Sequence, residues 1–125
     1  MNVVLDAGGL IGIERDDRRV AGLIELARRA GGGLVTVAPV VGQVWRGGAR
    51  QARFARWLPM IDVRPVELAD ARAAGVLLGA AGTRDVVDAL VALAAMPGDQ
   101  ILTSDPDDLK VLMAERGVPV AVVAV

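Results

Sequence analysis

Asp85 and Asp88 stand three residues apart at the head of the stretch Thr83-Arg-Asp-Val-Val-Asp-Ala-Leu-Val-Ala-Leu-Ala-Ala95, and Ala89 to Met96 carry no charge at all. If a helix begins near Asp85, the two carboxylates are neighbours on its first turn. A segment so apolar is buried on most sides, so Asp88 enters the interior unless its carboxylate reaches a cleft. A buried, ionised carboxylate is costly without a partner. From Asp85 to Asp108 there are six acids (Asp85, Asp88, Asp99, Asp105, Asp107 and Asp108) and no Lys or Arg, so no basic neighbour is at hand to neutralise it. A bound cation is one resolution. Helix capping is the simpler reading of Asp85, but it accounts less well for Asp88, because a first-turn acid normally faces solvent.

Two further acids follow short β-branched runs. Asp6 ends Asn2-Val-Val-Leu-Asp6, and Asp105 follows Gln100-Ile-Leu-Thr-Ser104. Both runs read as buried strands, and in open parallel sheets the functional crevice lies beyond the carboxyl ends of strands. Three separated elements thus offer carboxylates to one region. Two like charges about 4 Å apart repel by roughly 4 kcal/mol at an effective dielectric of 20, so such a cluster calls for a divalent cation or for protonation. With neither His nor Cys in the chain, oxygen-only ligation favours a hard ion, Mg²⁺ or Mn²⁺. The plainer roles are a helix cap for Asp105 and a strand end for Asp6.

Composition narrows the chemistry further. The absence of His and Cys excludes disulfides, thiol chemistry, zinc sites and His-dependent triads. The apolar runs are far too short to cross a bilayer, and no basic segment followed by an apolar stretch and cleavage site opens the chain. A soluble, cytoplasmic protein without a membrane role is expected. Hydrophobic residues make up 54% and aromatics 2%, so the core must be built from Val, Leu, Ile and Ala. The net charge of -1 hides an asymmetry: from Leu26 to Ile61 there are six Arg and no acid, while the acids gather in the second half. An anionic ligand at one patch and a cation at another would fit that distribution, as would an ordinary mixed surface.

The elements that must position these groups alternate. After the first strand, Ala7-Gly8-Gly9 reads as a turn and Leu10 to Glu14 as a short helix. Asp16 or Asp17 caps a second helix, with Val20, Leu23, Ile24 and Ala27 at helical spacing until Gly31-Gly32-Gly33. Leu34 to Val37 is a strand. Pro39 opens a helix carrying Val40, Gln43 and Val44, ended by Gly47-Gly48. Arg50, Arg53 and Arg56 share a helix with Phe54, Trp57 and Leu58, which Pro59 closes. A strand over Met60 to Arg64, a helix over Glu67 to Ala80, the Asp85 helix, a turn at Met96 to Asp99, the strand before Asp105, a helix over Pro106 to Arg116 with Gly117 as its C-cap and a strand over Pro119 to Val125 complete the chain. This pattern predicts a single α/β domain over residues 1–125, an α/β/α sandwich with a mainly parallel sheet.

Val3-Val-Leu-Asp6-Ala-Gly, Ala38-Pro-Val-Val-Gly-Gln43-Val-Trp-Arg-Gly-Gly48, Asp85-Val-Val-Asp88-Ala-Leu-Val-Ala and Leu102-Thr-Ser-Asp105-Pro-Asp-Asp-Leu109 together resemble the PIN domain, and more closely the VapC-type toxins of bacterial toxin-antitoxin pairs. The resemblance spans nearly the whole chain in the right order. It implies an Mg²⁺- or Mn²⁺-dependent endoribonuclease inhibited by a VapB-type antitoxin. Carried over by position, it makes Asp6, Asp88 and Asp105 the catalytic and metal-binding acids, with Asp85 an accessory metal acid. The family usually has Glu where this chain has Gln43, so the fourth catalytic position carries an amide that can hydrogen-bond but brings no charge.

Arg46, Arg50 and Arg53 are the arginines expected to meet RNA phosphates, against the alternative of a solvated helix face. Trp45 and Trp57 could stack on bases, although packing accounts for them more simply. Helices near Leu10 to Ile13 and Trp45 to Leu58 offer more apolar surface than a small sheet obviously covers, so a homodimer with an antitoxin peptide in a groove is expected. Two rival readings remain. Gln43 favours a catalytically weak or inactive PIN-like module that binds RNA or a partner. A phosphoacceptor receiver domain would need paired acids after the first strand and a lysine after a late one, whereas only Asp6 and a helical Lys110 are present.

Overall fold

The computed structural model describes residues Met1–Val125. Five strands form one sheet: β1 (Val3–Leu5), β2 (Leu34–Val37), β3 (Ile61–Arg64), β4 (Gln100–Thr103) and β5 (Ala121–Ala124), in the order β3-β2-β1-β4-β5. Every neighbouring pair is parallel, so the sheet is wholly rather than mainly parallel. The central strand is apolar at each position because helices cover both its faces. Val3, Val4 and Leu5 are fully buried, with Val4 in register with Val35 on one side and Ile101 on the other.

The strand order dictates the layers. From β1 the chain steps outward to β2 and β3, then crosses back to β4 and β5. With right-handed crossovers, reversing the direction of winding moves the connecting helices to the other face of the sheet. The packing follows this division. Helices α1 (Ala7–Glu14), α2 (Arg18–Arg29), α3 (Ala38–Val44) and α4 (Ala52–Trp57) gather around α1, which lies on β1 and β4. Helices α5 (Leu68–Ala81), α6 (Val86–Ala94) and α7 (Pro106–Arg116) pack on one another, with α6 on β1 and β2. A crevice at the carboxyl ends of β1 and β4, where the winding reverses, is the place such sheets offer to a ligand.

Two expectations are corrected. Gly8 and Gly9 are helical rather than a turn, because α1 starts directly after β1. The glycines serve close approach: a Cβ on Gly8 would lie 2.7 Å from the Ser104 backbone nitrogen, and one on Gly9 would lie 2.9 Å from Leu5 Cδ2 and 3.2 Å from the Leu102 carbonyl. The apolar surface expected near Leu10 to Ile13 is largely covered, leaving Ile13 at the floor of a groove between α1 and α2. Leu10 and Ile13 are buried where α1 meets α2, α3 and α4. In the Trp45 to Leu58 segment Phe54 is buried and Trp45 stacks on it at a tilt of 57°, with ring centroids 5.8 Å apart, while Trp45 remains 41% exposed. Between α1 and α2, Asp16 adopts φ 56, a left-handed conformation that Asp tolerates, and it is Asp17 that caps α2 through the Val20 amide.

Candidate metal centre

Asp6 leaves β1 buried, at 6% exposure. Its Oδ1 accepts from the Gly8 and Gly9 amides at 2.8 and 3.3 Å, capping α1, and its Oδ2 accepts the Thr103 hydroxyl. Burial pushes its carboxyl above the ordinary range, against the pull of those hydrogen bonds. Thr103 ends β4 fully buried, and its hydroxyl oxygen also accepts from the Asp105 amide at 2.8 Å. One hydroxyl therefore ties the acid after β1 to the backbone of the acid after β4.

Asp85 takes the cap of α6, its Oδ1 accepting from the Val87 and Asp88 amides at 2.9 and 3.1 Å. Asp88 turns inward one turn later. Its Oδ2 is enclosed by protein and has no hydrogen-bond partner. Burial raises its carboxyl to about 7, reinforced by the charges of Asp85, Asp105, Asp108 and Asp6. Asp105 stands at the cap position of α7, yet its carboxylate makes no capping bond. Lost hydration and the hydrogen bond with Asp108, followed by the charge of Asp108, push Asp105 above the ordinary range.

The structure brings Asp88, Asp105 and Asp108 together, with one carboxylate oxygen from each lying within 4.8 Å of the others. Asp6 and Asp85 stand outside this triplet, both oxygens of Asp6 and Oδ1 of Asp85 being taken by amides and Thr103, but close enough for both to act on the charge of Asp88. Sequence reasoning missed Asp108 and Thr103. Asp108 had a signal: Asp105 and Asp108 repeat, on the first turn of α7, the three-residue spacing of Asp85 and Asp88. Thr103 had none, since a Thr at a strand end is ordinary.

Gln43 is exposed, one turn after the buried Val40 on α3, and no hydrogen bond holds its side chain. Arg46 folds back on the chain, donating from Nη1 to the Trp45 and Gly42 carbonyls at 2.8 and 3.3 Å, and Arg50 is exposed. Arg53 lies 3.8 Å from Asp16. That partner follows the far end of α1, about 12 Å along the helix from Asp6. The buried polar residue here is Gln51: its Oε1 accepts from the Arg46 and Gly47 amides, and its Nε2 donates to the Val44 carbonyl, closing the end of α3.

No basic side chain compensates the cluster. The ion pairs are Arg28 and Arg29 with Glu25, Arg53 with Asp16 and Arg64 with Asp62. The donor set suits a hard divalent cation: three carboxylates converge, one with an enclosed oxygen that nothing satisfies, and no nitrogen or sulfur ligand is present to favour zinc.

No family model matches the sequence, and no curated protein matches it. Among solved structures the chain resembles one in the crystal structure of VapBC2 from Rickettsia felis bound to a DNA fragment from their promoter, with a TM-score of 0.68 over 100% of this chain and 99% of that one. The fold is PIN-like. At 11% identity the likeness carries the architecture, and the side chains must supply the chemistry. No helix is long and apolar enough to cross a membrane.

Proposed function

We propose that this chain is the toxin of a toxin-antitoxin pair, a metal-dependent endoribonuclease whose cation, Mg²⁺ or Mn²⁺, is held by Asp88, Asp105 and Asp108. The observation that carries the reading is the uncompensated triplet with the unpartnered Asp88 oxygen, at the crevice where the winding of the sheet reverses. The likeness to a VapBC2 chain supports the choice of class.

Within this reading each residue has a task. Asp88 and Asp105 offer oxygens not consumed by capping, and Asp108 adds a third from the same first turn as Asp105. Asp6, held by two amides and a hydroxyl, contributes fixed negative charge beside them and keeps Thr103 in place. Thr103 orders the backbone at Asp105. A divalent cation in this position supplies neutralisation of phosphodiester charge and activation of water for in-line attack. Arg50 and the remaining donors of Arg46, whose Nη1 is held by the Trp45 and Gly42 carbonyls, are available for phosphate contacts, whereas Arg53 is drawn to Asp16.

The antitoxin reading is supported by a groove between α1, α2 and α4 lined by Ile13, Val20, Ile24 and Trp57, whose charged edge of Asp16, Asp17, Glu25 and Arg28 is acidic in balance. An amphipathic peptide with basic residues matches it in both character and charge. Gln43, exposed and neutral, favours one alternative: a PIN-like module that binds RNA or a partner with little turnover. The test is cleavage of a mixed RNA substrate with Mn²⁺, with EDTA, and with Asp88→Asn. Cleavage that needs Mn²⁺ and is lost in Asp88→Asn supports the nuclease. RNA binding without cleavage in any of the three selects the module.

A further inference from the structure

The helix that carries Asp88 is well capped at its start and open at its end. Asp85 satisfies the first amides of α6. At the other terminus Ala95 turns extended, with φ -79 and ψ 130, so no left-handed residue folds the chain back onto the last carbonyls. Those carbonyls have no partner within the helix. Ala92 and Ala95 are also fully buried, where unpaired acceptors are expensive.

Two guanidinium groups fill the gap. Arg116 Nη1 donates to the Ala92 carbonyl at 2.7 Å and to the Ala95 carbonyl at 2.6 Å, and Arg64 Nη1 donates to the Ala94 carbonyl at 3.2 Å. Arg116 differs from Arg64 in where it comes from. It is the last residue of α7, whose first turn holds Asp108 and whose cap position is Asp105. One side chain thus ties the far end of the Asp88 helix to the far end of the Asp105 and Asp108 helix.

We propose that Arg116 is a positioning residue for the cation: by locking α6 against α7, it fixes the spacing of Asp88 from Asp105 and Asp108. The inference rests on the metal reading above. From Ala95 to Asp88 is about 10 Å along the helix, so a tilt of about 5° moves the aspartate by roughly 0.9 Å. Metal-ligand distances tolerate only about 0.2 Å. A small loosening at the end without acids is therefore amplified at the end that has them.

The experiment is calorimetric titration of Mn²⁺ at pH 8 into the parent protein, Arg116→Met, Arg116→Lys and Arg64→Met, with amide exchange of α6 followed in the metal-free proteins. The expected result is a Kd roughly tenfold weaker in Arg116→Met, at unchanged stoichiometry and with faster exchange around Asp88. Arg116→Lys, which can restore one carbonyl contact, falls in between. Arg64→Met, which loosens α6 from β3 but leaves its tie to α7, weakens Mn²⁺ binding less than Arg116→Met does. A lowered Tm with an unchanged Mn²⁺ Kd in Arg116→Met would show a helix cap and nothing more, overturning the inference while leaving the metal reading intact. Should Arg116→Met not fold, a parent-like Kd in Arg116→Lys overturns it equally. A parent protein that binds no Mn²⁺ overturns the metal reading, and the inference falls with it.

Discussion

Replacing Asp88 with Asn should stabilise the metal-free protein while destroying its site. In the folded chain the Asp88 carboxyl is carried from 3.8 to about 7, first by burial and then by its acidic neighbours. Because the folded value is raised, the penalty for ionising Asp88 is absent below the unfolded pKa, grows as pH rises through the interval, and is complete above about 7. The full interval corresponds to about 4 kcal/mol. Asp88 is only partly enclosed, so solvent screening reduces this to about 2 kcal/mol. Asn keeps the shape and removes the charge, and no hydrogen bond to Oδ2 is lost, because none exists. Thermal unfolding with EDTA should place Asp88→Asn about 8 °C above the parent at pH 8, with the gap closing as pH falls toward 4. Mn²⁺ should then raise the Tm of the parent and leave that of the variant unmoved. A variant less stable than the parent at pH 8, or a gap independent of pH, would refute the argument that Asp88 is a charge held without compensation.

The same titration governs cation binding, since a ligand must shed its proton first. With Asp88 near 7, the apparent Mn²⁺ Kd should weaken about tenfold from pH 8 to pH 6; a flat profile by calorimetry would exclude Asp88 as a ligand. Gln43→Glu adds a negative charge on α3 and should raise Mn²⁺ affinity, RNA cleavage and growth inhibition on expression without a partner; strong cleavage already present and unchanged by the substitution would show that the aspartates suffice. Thr103→Val removes the donor to Asp6 Oδ2 and the acceptor for the Asp105 amide. It should cost about 1–3 kcal/mol in denaturant unfolding, and a loss under 0.5 kcal/mol would mean that the hydroxyl link is dispensable.

The architecture was legible because β1 and β4 are short apolar runs followed by acids, Pro39 marks the helix after β2, and each long helix shows its period or its stop signals. Gly117 does cap α7 in the left-handed region, as its place after Arg116 suggests. The site was legible only in outline. Asp88 betrayed itself by sitting in an uncharged segment, but which oxygens remain free depends on caps that sequence cannot assign: Asp6 and Asp85 each give Oδ1 to helix amides and Asp105 gives neither oxygen. Asp108 was passed over as one acid among several at the start of a helix. The Gly8-Gly9 pair was misread because close packing on β4 and freedom to turn call for the same residue. The three-residue spacing of the arginines likewise did not reveal that Arg53 lies 3.8 Å from Asp16, in the turn between α1 and α2.

Anomalous diffraction from crystals grown with Mn²⁺ locates the cation itself. One strong peak is expected between the carboxylates of Asp88, Asp105 and Asp108, within about 2.0–2.6 Å of an oxygen from each, and it should disappear in Asp88→Asn. An empty triplet at millimolar Mn²⁺, or a peak held elsewhere with these three carboxylates uninvolved, would contradict the metal reading.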